Sequence, residues 1–289
     1  MHYKDAKSIL SAKNGMNLYR GCTHGCIYCD SRSACYQMEH AFEDVEIKRN
    51  APQLLEEALR RKRARCMIGT GSMCDPYLPI EREERLTRRC LELIDRYGFG
   101  VSLLSKSDLL LRDLDLFKSI HAKAKCVVCM TLTTHDDALC RILEPHVCTT
   151  WRRVEALKIL HDEGVPTVVW LCPLLPFIND TPENLRGILN ACFEAGVRGI
   201  LNFGMGVTLR QGDREYFYSK LDEHFPGMKR RYIAAFGSSY FCPSPNHAAL
   251  TRLFEDECNK RGLLHEPDAV FEYLTTFDKR HTGRQLSLF

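Results

Sequence analysis

Short apolar, β-branched runs alternate with stretches of helical periodicity along the first two thirds of the chain. The runs at residues 65–69, 100–105, 125–133, 167–174 and 199–204 predict strands. Between them, apolar positions recur every three to four residues over 51–64, 81–97, 109–121, 150–163 and 181–195, which predicts amphipathic helices. Strand–helix alternation builds βαβ units and a parallel sheet, since parallel neighbours need a long crossover. A first strand just before Cys22 brings the count to about six units. The expected fold class is α/β, a partial, open (β/α)6 barrel with chemistry at the carboxyl ends of its strands. From about residue 207 the pattern changes to aromatic-rich helices over 214–224, 247–261 and 268–277, with no convincing strand. The expected organisation is a barrel over 1–206, a helical C-terminal cap over 207–277 and a tail over 278–289.

Composition narrows this little. A chain of 289 residues with 45% hydrophobic and 27% charged residues is ordinary for a globular protein, and a net charge of +3 neither demands nor excludes nucleic acid. The longest apolar stretch, 165–177, is broken by Pro166, Pro173 and Pro176 and is too short to span a bilayer. Residues 1–10 lack the apolar core of a signal peptide. Fifteen cysteines without a secretory signal read as thiols in a reducing compartment, so the expected location is cytoplasmic, with no membrane partner.

Three of those cysteines carry the chemistry. Cys22, Cys26 and Cys29 stand in the run Tyr19-Arg20-Gly21-Cys22-Thr23-His24-Gly25-Cys26-Ile27-Tyr28-Cys29, a C-x3-C-x2-C spacing. Three thiolates this close can hold three irons of a cubane cluster and leave the fourth open to a small molecule. A zinc site is the alternative, but zinc wants four ligands, and no second pair follows at finger spacing.

Other candidates lie at predicted strand ends. After the strand at 65–69, Gly71 and Ser72 offer close backbone approach and a hydroxyl, and Cys74 offers a thiol. Lys106 stands between Ser105 and Ser107 and suits a carboxylate ligand. Thr131 and Thr133 alternate and so share a face, while Arg153, at a helix start, suits a bidentate carboxylate pair. Cys126 and Cys129 would point to opposite faces of their strand as packing residues. Cys242 and Cys258 lack close partners, so one cluster is expected. Basic runs at Arg60-Arg61-Lys62-Arg63-Ala64-Arg65 and Lys229-Arg230-Arg231 could meet phosphates, though solvated helix faces explain them equally well.

The cysteine motif, with an aromatic just before its last Cys, resembles the radical S-adenosylmethionine (SAM) superfamily. Asp75-Pro76-Tyr77 with Pro79-Ile80-Glu81, Glu144-Pro145 with Arg153, and Pro173-Leu174-Leu175-Pro176 with Asn179-Asp180 resemble its spore photoproduct lyase-like, or DNA repair photolyase, group over residues 14–206. The resemblance implies one [4Fe-4S] cluster on Cys22, Cys26 and Cys29, and SAM as the source of a 5′-deoxyadenosyl radical. It implies Tyr28 near the adenine and Lys106, Thr131 and Arg153 at the cofactor site, beside Gly71 and Ser72, whose backbone and hydroxyl suit the methionine end. A flavodoxin- or ferredoxin-type electron donor is implied too. The lyase's hydrogen-donor cysteine matches Ser72 here; Cys74, two residues on, is the candidate thiol.

The last five residues, Gln285, Leu286, Ser287, Leu288 and Phe289, follow a polar basic stretch. Apolar anchors on a polar tether suit an apolar groove of another protein. The pentapeptide resembles the bacterial sliding-clamp-binding motif, which implies a clamp partner and, through it, DNA. The expected function is radical repair or modification of DNA, lyase-like or by other hydrogen abstraction. The alternatives are a radical enzyme acting on RNA, a peptide or a small metabolite, and a non-enzymatic iron-sulfur protein that binds the clamp or DNA.

Overall fold

The computed structural model describes residues 1–278. Strands β1 (His2–Lys4), β2 (Gly15–Met16), β3 (Tyr19–Arg20) and β4 (Glu46–Lys48) come first. Helix α1 (Ala51–Arg61), β5 (Met67–Thr70), α2 (Glu81–Glu84), α3 (Leu86–Tyr97), β6 (Gly100–Ser105), α4 (Leu114–Lys123) and β7 (Cys126–Thr131) follow. Next are α5 (Asp137–Leu143), α6 (Thr150–Asp162), β8 (Thr167–Trp170), α7 (Pro182–Glu194) and β9 (Gly199–Leu201). The chain continues through β10 (Gly206–Thr208), α8 (Asp213–His224), α9 (Met228–Phe236), β11 (Phe241–Pro243), α10 (His247–Arg261) and α11 (Pro267–Thr275).

Six strands form one sheet in the order β2-β5-β6-β7-β8-β9, and every neighbouring pair is parallel. Among the described residues β2 and β9 are not paired with each other, so the sheet is an α/β partial barrel left open. The β9 edge is covered by backbone: Ile200 N donates to Leu264 O at 2.8 Å. No helix among the described residues is long and apolar enough to cross a membrane.

The structure corrects the expected elements in four places. The strand just before Cys22, β3, does not belong to the barrel sheet; it pairs antiparallel with β4 in a separate sheet of order β1-β4-β3. The first barrel strand is the two-residue β2, too short to leave a periodic pattern. The C-terminal region does contain strands, because β10 and β11 pair antiparallel with Val207 opposite Cys242. The predicted helix over 81–97 is two helices, broken where Arg85 takes φ of 47°. There the buried Glu81 carboxylate accepts from Leu86 N at 3.0 Å and Thr87 N at 3.1 Å, satisfying amides that the helix start leaves free. Helices α5 and α9, of seven and nine residues, went unseen because so short a window carries little periodicity.

Period-two alternation sends the two faces of β7 into different cores. Cys126, Val128 and Met130 face the outer layer with Leu91, Phe117 and Leu157. Val127 and Cys129 face inward with Val168 and Leu201, and there Val270 and Leu274 of α11 cover them. Helix α11 therefore plugs the concave side of the sheet, leaving the carboxyl ends of the strands open. A further core joins Ile27 and Tyr28 of the cysteine loop to Phe217, Leu221 and Tyr232 of α8 and α9.

Candidate active site

The cysteine loop begins where β3 ends, at a glycine. Gly21 has φ of 88°, and a Cβ there would lie 2.5 Å from Phe42 O, so no other residue passes this point without moving backbone. Beyond it the loop rests on the end of α5 and the segment that follows: Ile27 N donates to Leu143 O at 3.0 Å, and His146 N donates to His24 O at 3.1 Å. Cys22, Cys26 and Cys29 are free thiols and line one cavity of about 90 Å³ with Ser72, Cys74 and Lys106. Burial pushes the Cys22 thiol up to about 12 and the Cys26 thiol well above its ordinary value. Buried sulfur donors of this kind ionise readily only with a cation beside them. Three cysteine sulfurs around one small cavity fit an iron-sulfur cluster held by three protein ligands.

Two buried carboxylates fix that loop to the strand ends. Asp75 Oδ1 accepts from Tyr77 N at 2.8 Å and from Ser105 Oγ at 2.8 Å, and Asp75 Oδ2 accepts from Lys106 N at 2.7 Å. The imidazole of His24, inside the cysteine loop, lies 3.5 Å from the same Oδ2. Glu144 does the matching work on the other side. Tyr28 Oη donates to Glu144 Oε1, and Arg153 Nη2 donates to Glu144 Oε2. Arg153 Nη1 donates to Thr131 O at 2.8 Å and its Nε donates to Cys148 O at 3.0 Å. Thr133 Oγ1 reaches Glu144 Oε1 at 3.4 Å.

Above the cysteines, at the carboxyl ends of β5 to β9, opens a cavity of about 430 Å³. Tyr28, Gly71, Ser72, Lys106 and Thr131 all line it. Gly71, with φ of 99°, lies so close to β6 that a Cβ would stand 1.9 Å from Leu104 O. Burial alone would lower the Lys106 ammonium, but the Cys26 sulfur and the Glu144 and Asp75 carboxylates outweigh it and keep the lysine charged. Among the described residues no hydrogen bond or ion pair holds its Nζ, so a charged donor faces the cavity with room for an anionic ligand.

Two expected residues are placed elsewhere. Arg153 has no exposed surface and spends its guanidinium on Glu144 and two carbonyls; the carboxylate it meets belongs to this chain, which makes it a positioning residue. Cys74 lies on the wall of the smaller cavity, not the larger one, and its Sγ donates to Gly21 O at 2.8 Å. The chain bends after β5, so strand alternation no longer predicts where that side chain points.

Sequence reading missed the residues that complete the larger cavity: Cys172, Trp170, Phe203, Tyr240 and Phe241. Phe203 is 53% exposed and Tyr240 51%, high for large apolar side chains. Trp170 and Phe203 lie at or just past the ends of β8 and β9, where strand-end logic could have found them. Phe241 begins the unrecognised β11, and Tyr240 immediately precedes it. The basic runs contribute elsewhere: Arg60 pairs with Glu56 at 2.8 Å on α1, and Lys229 pairs with Asp222 at 2.6 Å. The clamp-like pentapeptide, 285–289, lies outside the described residues.

The Glu144–Arg153 pair makes a direct prediction. Glu144→Gln leaves a buried guanidinium without its counter-charge and should cost about 3–5 kcal/mol at neutral pH. Burial raises the Glu144 carboxyl, but the Arg153 guanidinium, the Lys106 ammonium and the Tyr28 hydroxyl together hold it below the usual carboxylate range. A carboxyl lowered by folding stabilises above its unfolded value, about 4.3, and loses that contribution as pH falls through its folded value. The gap in denaturation midpoint between wild type and Glu144→Gln should therefore narrow below about pH 4.3; a gap that stays constant would show the pair contributes nothing of this kind.

Comparison with known proteins agrees with this geometry. An uncharacterized protein of Methanocaldococcus jannaschii is 34% identical over 174 residues, covering 60% of this chain and 64% of that protein. An uncharacterized protein of Mycobacterium tuberculosis is 28% identical over 248 residues, covering 82% of this chain and 71% of that one. The chain thus spans a little under two thirds of the first relative. Spore photoproduct lyase complexed with dinucleoside spore photoproduct shares the fold at a TM-score of 0.60 and 10% identity, over 89% of this chain and 78% of that one. Streptococcus suis SuiB bound to precursor peptide SuiA gives 0.51 at 12% identity, over 87% and 47%. The radical SAM superfamily, whose members use a [4Fe-4S] cluster and SAM, matches residues 16–192. With that match across more than half its length, the chain belongs to the radical SAM superfamily.

Proposed function

We propose that this radical SAM enzyme acts on a base of DNA, in lyase-like repair or another hydrogen-abstracting modification. The observation that carries the reading is the aromatic rim of the larger cavity. Trp170, Phe203, Tyr240 and Phe241 line one opening above Lys106 and the cysteine loop. Exposed rings around a cavity stack flat ligands, and each stacked base contributes about 1–3 kcal/mol. A base inside a duplex cannot reach such a site, so the target would be extruded or single-stranded. The fold shared with spore photoproduct lyase agrees with a nucleic-acid substrate; the fold shared with SuiB keeps a peptide as the competing case.

The roles of the residues follow from their places. Cys22, Cys26 and Cys29 would hold the cluster, and with SAM it supplies a 5′-deoxyadenosyl radical. Lys106 would pair with the methionine carboxylate, Gly71 and Ser72 would present backbone and hydroxyl beside it, and Thr131 and Tyr28 would close the cofactor side. Glu144 and Arg153 position Tyr28 and do not touch the ligand. Cys172 takes the role expected of Cys74. It lines the larger cavity, and burial pushes its thiol up to about 12, so the S–H form that can return a hydrogen atom persists. The electron donor would be a flavodoxin or ferredoxin.

Anaerobically reconstituted enzyme with reductant should form 5′-deoxyadenosine, and deuterium should move from a labelled pyrimidine in single-stranded DNA into that product. Phe203→Ala or Tyr240→Ala should weaken oligonucleotide binding about 5- to 150-fold, the equivalent of one lost stack. Deuterium transfer from a peptide but from no oligonucleotide would overturn the DNA reading. The clamp reading is separate: deleting residues 285–289 should abolish affinity for a bacterial sliding clamp while 5′-deoxyadenosine formation persists. Unchanged clamp affinity would remove that partner.

A further inference from the structure

A second set of ligating side chains lies at the small sheet that feeds the cysteine loop, two on strands β1 and β4 and one, His40, on the loop before β4. His2, His40 and Glu46 each bring one donor atom within 4.8 Å of the others. Their ring protons are placed by neighbours. His2 Nδ1 faces Asp44 Oδ2 at 3.0 Å, and His40 Nδ1 faces Ala41 O at 3.0 Å. An oxygen on each Nδ1 requires that nitrogen to carry the proton, which leaves the lone pair of both neutral rings on Nε2. Among the described residues, nothing hydrogen-bonds to the buried His40 Nε2. It lies 4.0 Å from Glu46 Oε2, too far for a hydrogen bond.

A buried imidazole nitrogen without a partner is a costly arrangement unless something occupies it. Metal-ligating histidines have this form: one nitrogen held by a carboxylate or carbonyl, the other free for the ion. Glu46 adds a carboxylate oxygen that is 5% exposed at the side chain. Its present partner, Lys4 at 3.0 Å, sits on a side chain 54% exposed, free to swing into solvent. His2 stands directly opposite Glu46 in the parallel β1–β4 register.

We propose that His2, His40 and Glu46 bind a divalent transition-metal cation of the zinc class, with two nitrogens and one oxygen as protein donors. Asp44 orients His2 from the outer shell. The ion clips β1 to β4, and through the β4–β3 pairing, Arg20 opposite Glu46, it stiffens the strand that ends two residues before Cys22. The site stands apart from the radical chemistry and does not depend on the substrate assigned above.

The test uses tag-free holoenzyme with its cluster reconstituted, dialysed anaerobically against buffered zinc and analysed for both metals. About one zinc per chain should be taken up with no loss of iron, and thermal stability should rise. His40→Ala and His2→Ala should abolish that uptake, and Asp44→Asn should weaken it about 10- to 100-fold. Lys4→Ala, which frees Glu46, should bind zinc as tightly as wild type or tighter. Equal uptake by His40→Ala and wild type, zinc taken up only as iron is lost, or weaker binding by Lys4→Ala would each overturn the proposal.

Discussion

The site depends on a buried ion pair, Glu144 with Arg153, both without exposed surface. Burying two charges is costly, and the cost is offset only when every remaining polar atom finds a partner. Here each does: Arg153 reaches the Thr131 and Cys148 carbonyls, and Glu144 takes the Tyr28 hydroxyl. The pair thus couples the end of β7, the start of α6 and the last turn of the cysteine motif. Asp75 does the same between β5, β6 and His24. A loop of three cysteines has little reason of its own to adopt one shape. Two carboxylates on opposite sides hold it over the strand ends.

Much of this was legible in the chain. Alternating runs disclosed five of the six barrel strands, because fully buried parallel strands read as apolar segments. The placement of Gly71, Ser72, Lys106 and Thr131 on one cavity follows from a single rule, that chemistry gathers where parallel strands end, while Tyr28 reaches the same cavity from the cysteine loop. What escaped was whatever depends on partners distant in sequence. Arg153 read as a ligand residue because its own carboxylate, Glu144, was seen only as a motif neighbour. Cys74 read as a site thiol because it lies two residues from Ser72, the position that matches the lyase's donor cysteine, and that offset puts it on the smaller cavity. The rim residues Tyr240 and Phe241 were hidden by strands three residues long, below the reach of a periodicity argument.

The C-terminal region also changes how the barrel works. An open sheet of six parallel strands leaves its concave face bare, and α11 fills it with Val270 and Leu274. Phe271 of the same helix meets Trp170 at 6.3 Å and Phe203 at 5.8 Å, so the plug also supports the aromatic rim from below. Helices α8 and α9 pack against Ile27 and Tyr28 and back the cysteine loop from outside. The cavity therefore has one apolar layer beneath and one behind, with Lys106 and Asp30 as charged groups among its lining residues.

By this geometry Asp75 and Glu144 hold the cysteine loop so that a cofactor bound there would meet Lys106. An anaerobic crystal structure of the reconstituted enzyme with SAM tests it most directly. The methionine carboxylate is expected within hydrogen-bond distance of Lys106 Nζ, with Arg153 still paired to Glu144. A carboxylate held by Arg153, with Lys106 turned out of the cavity, would contradict it.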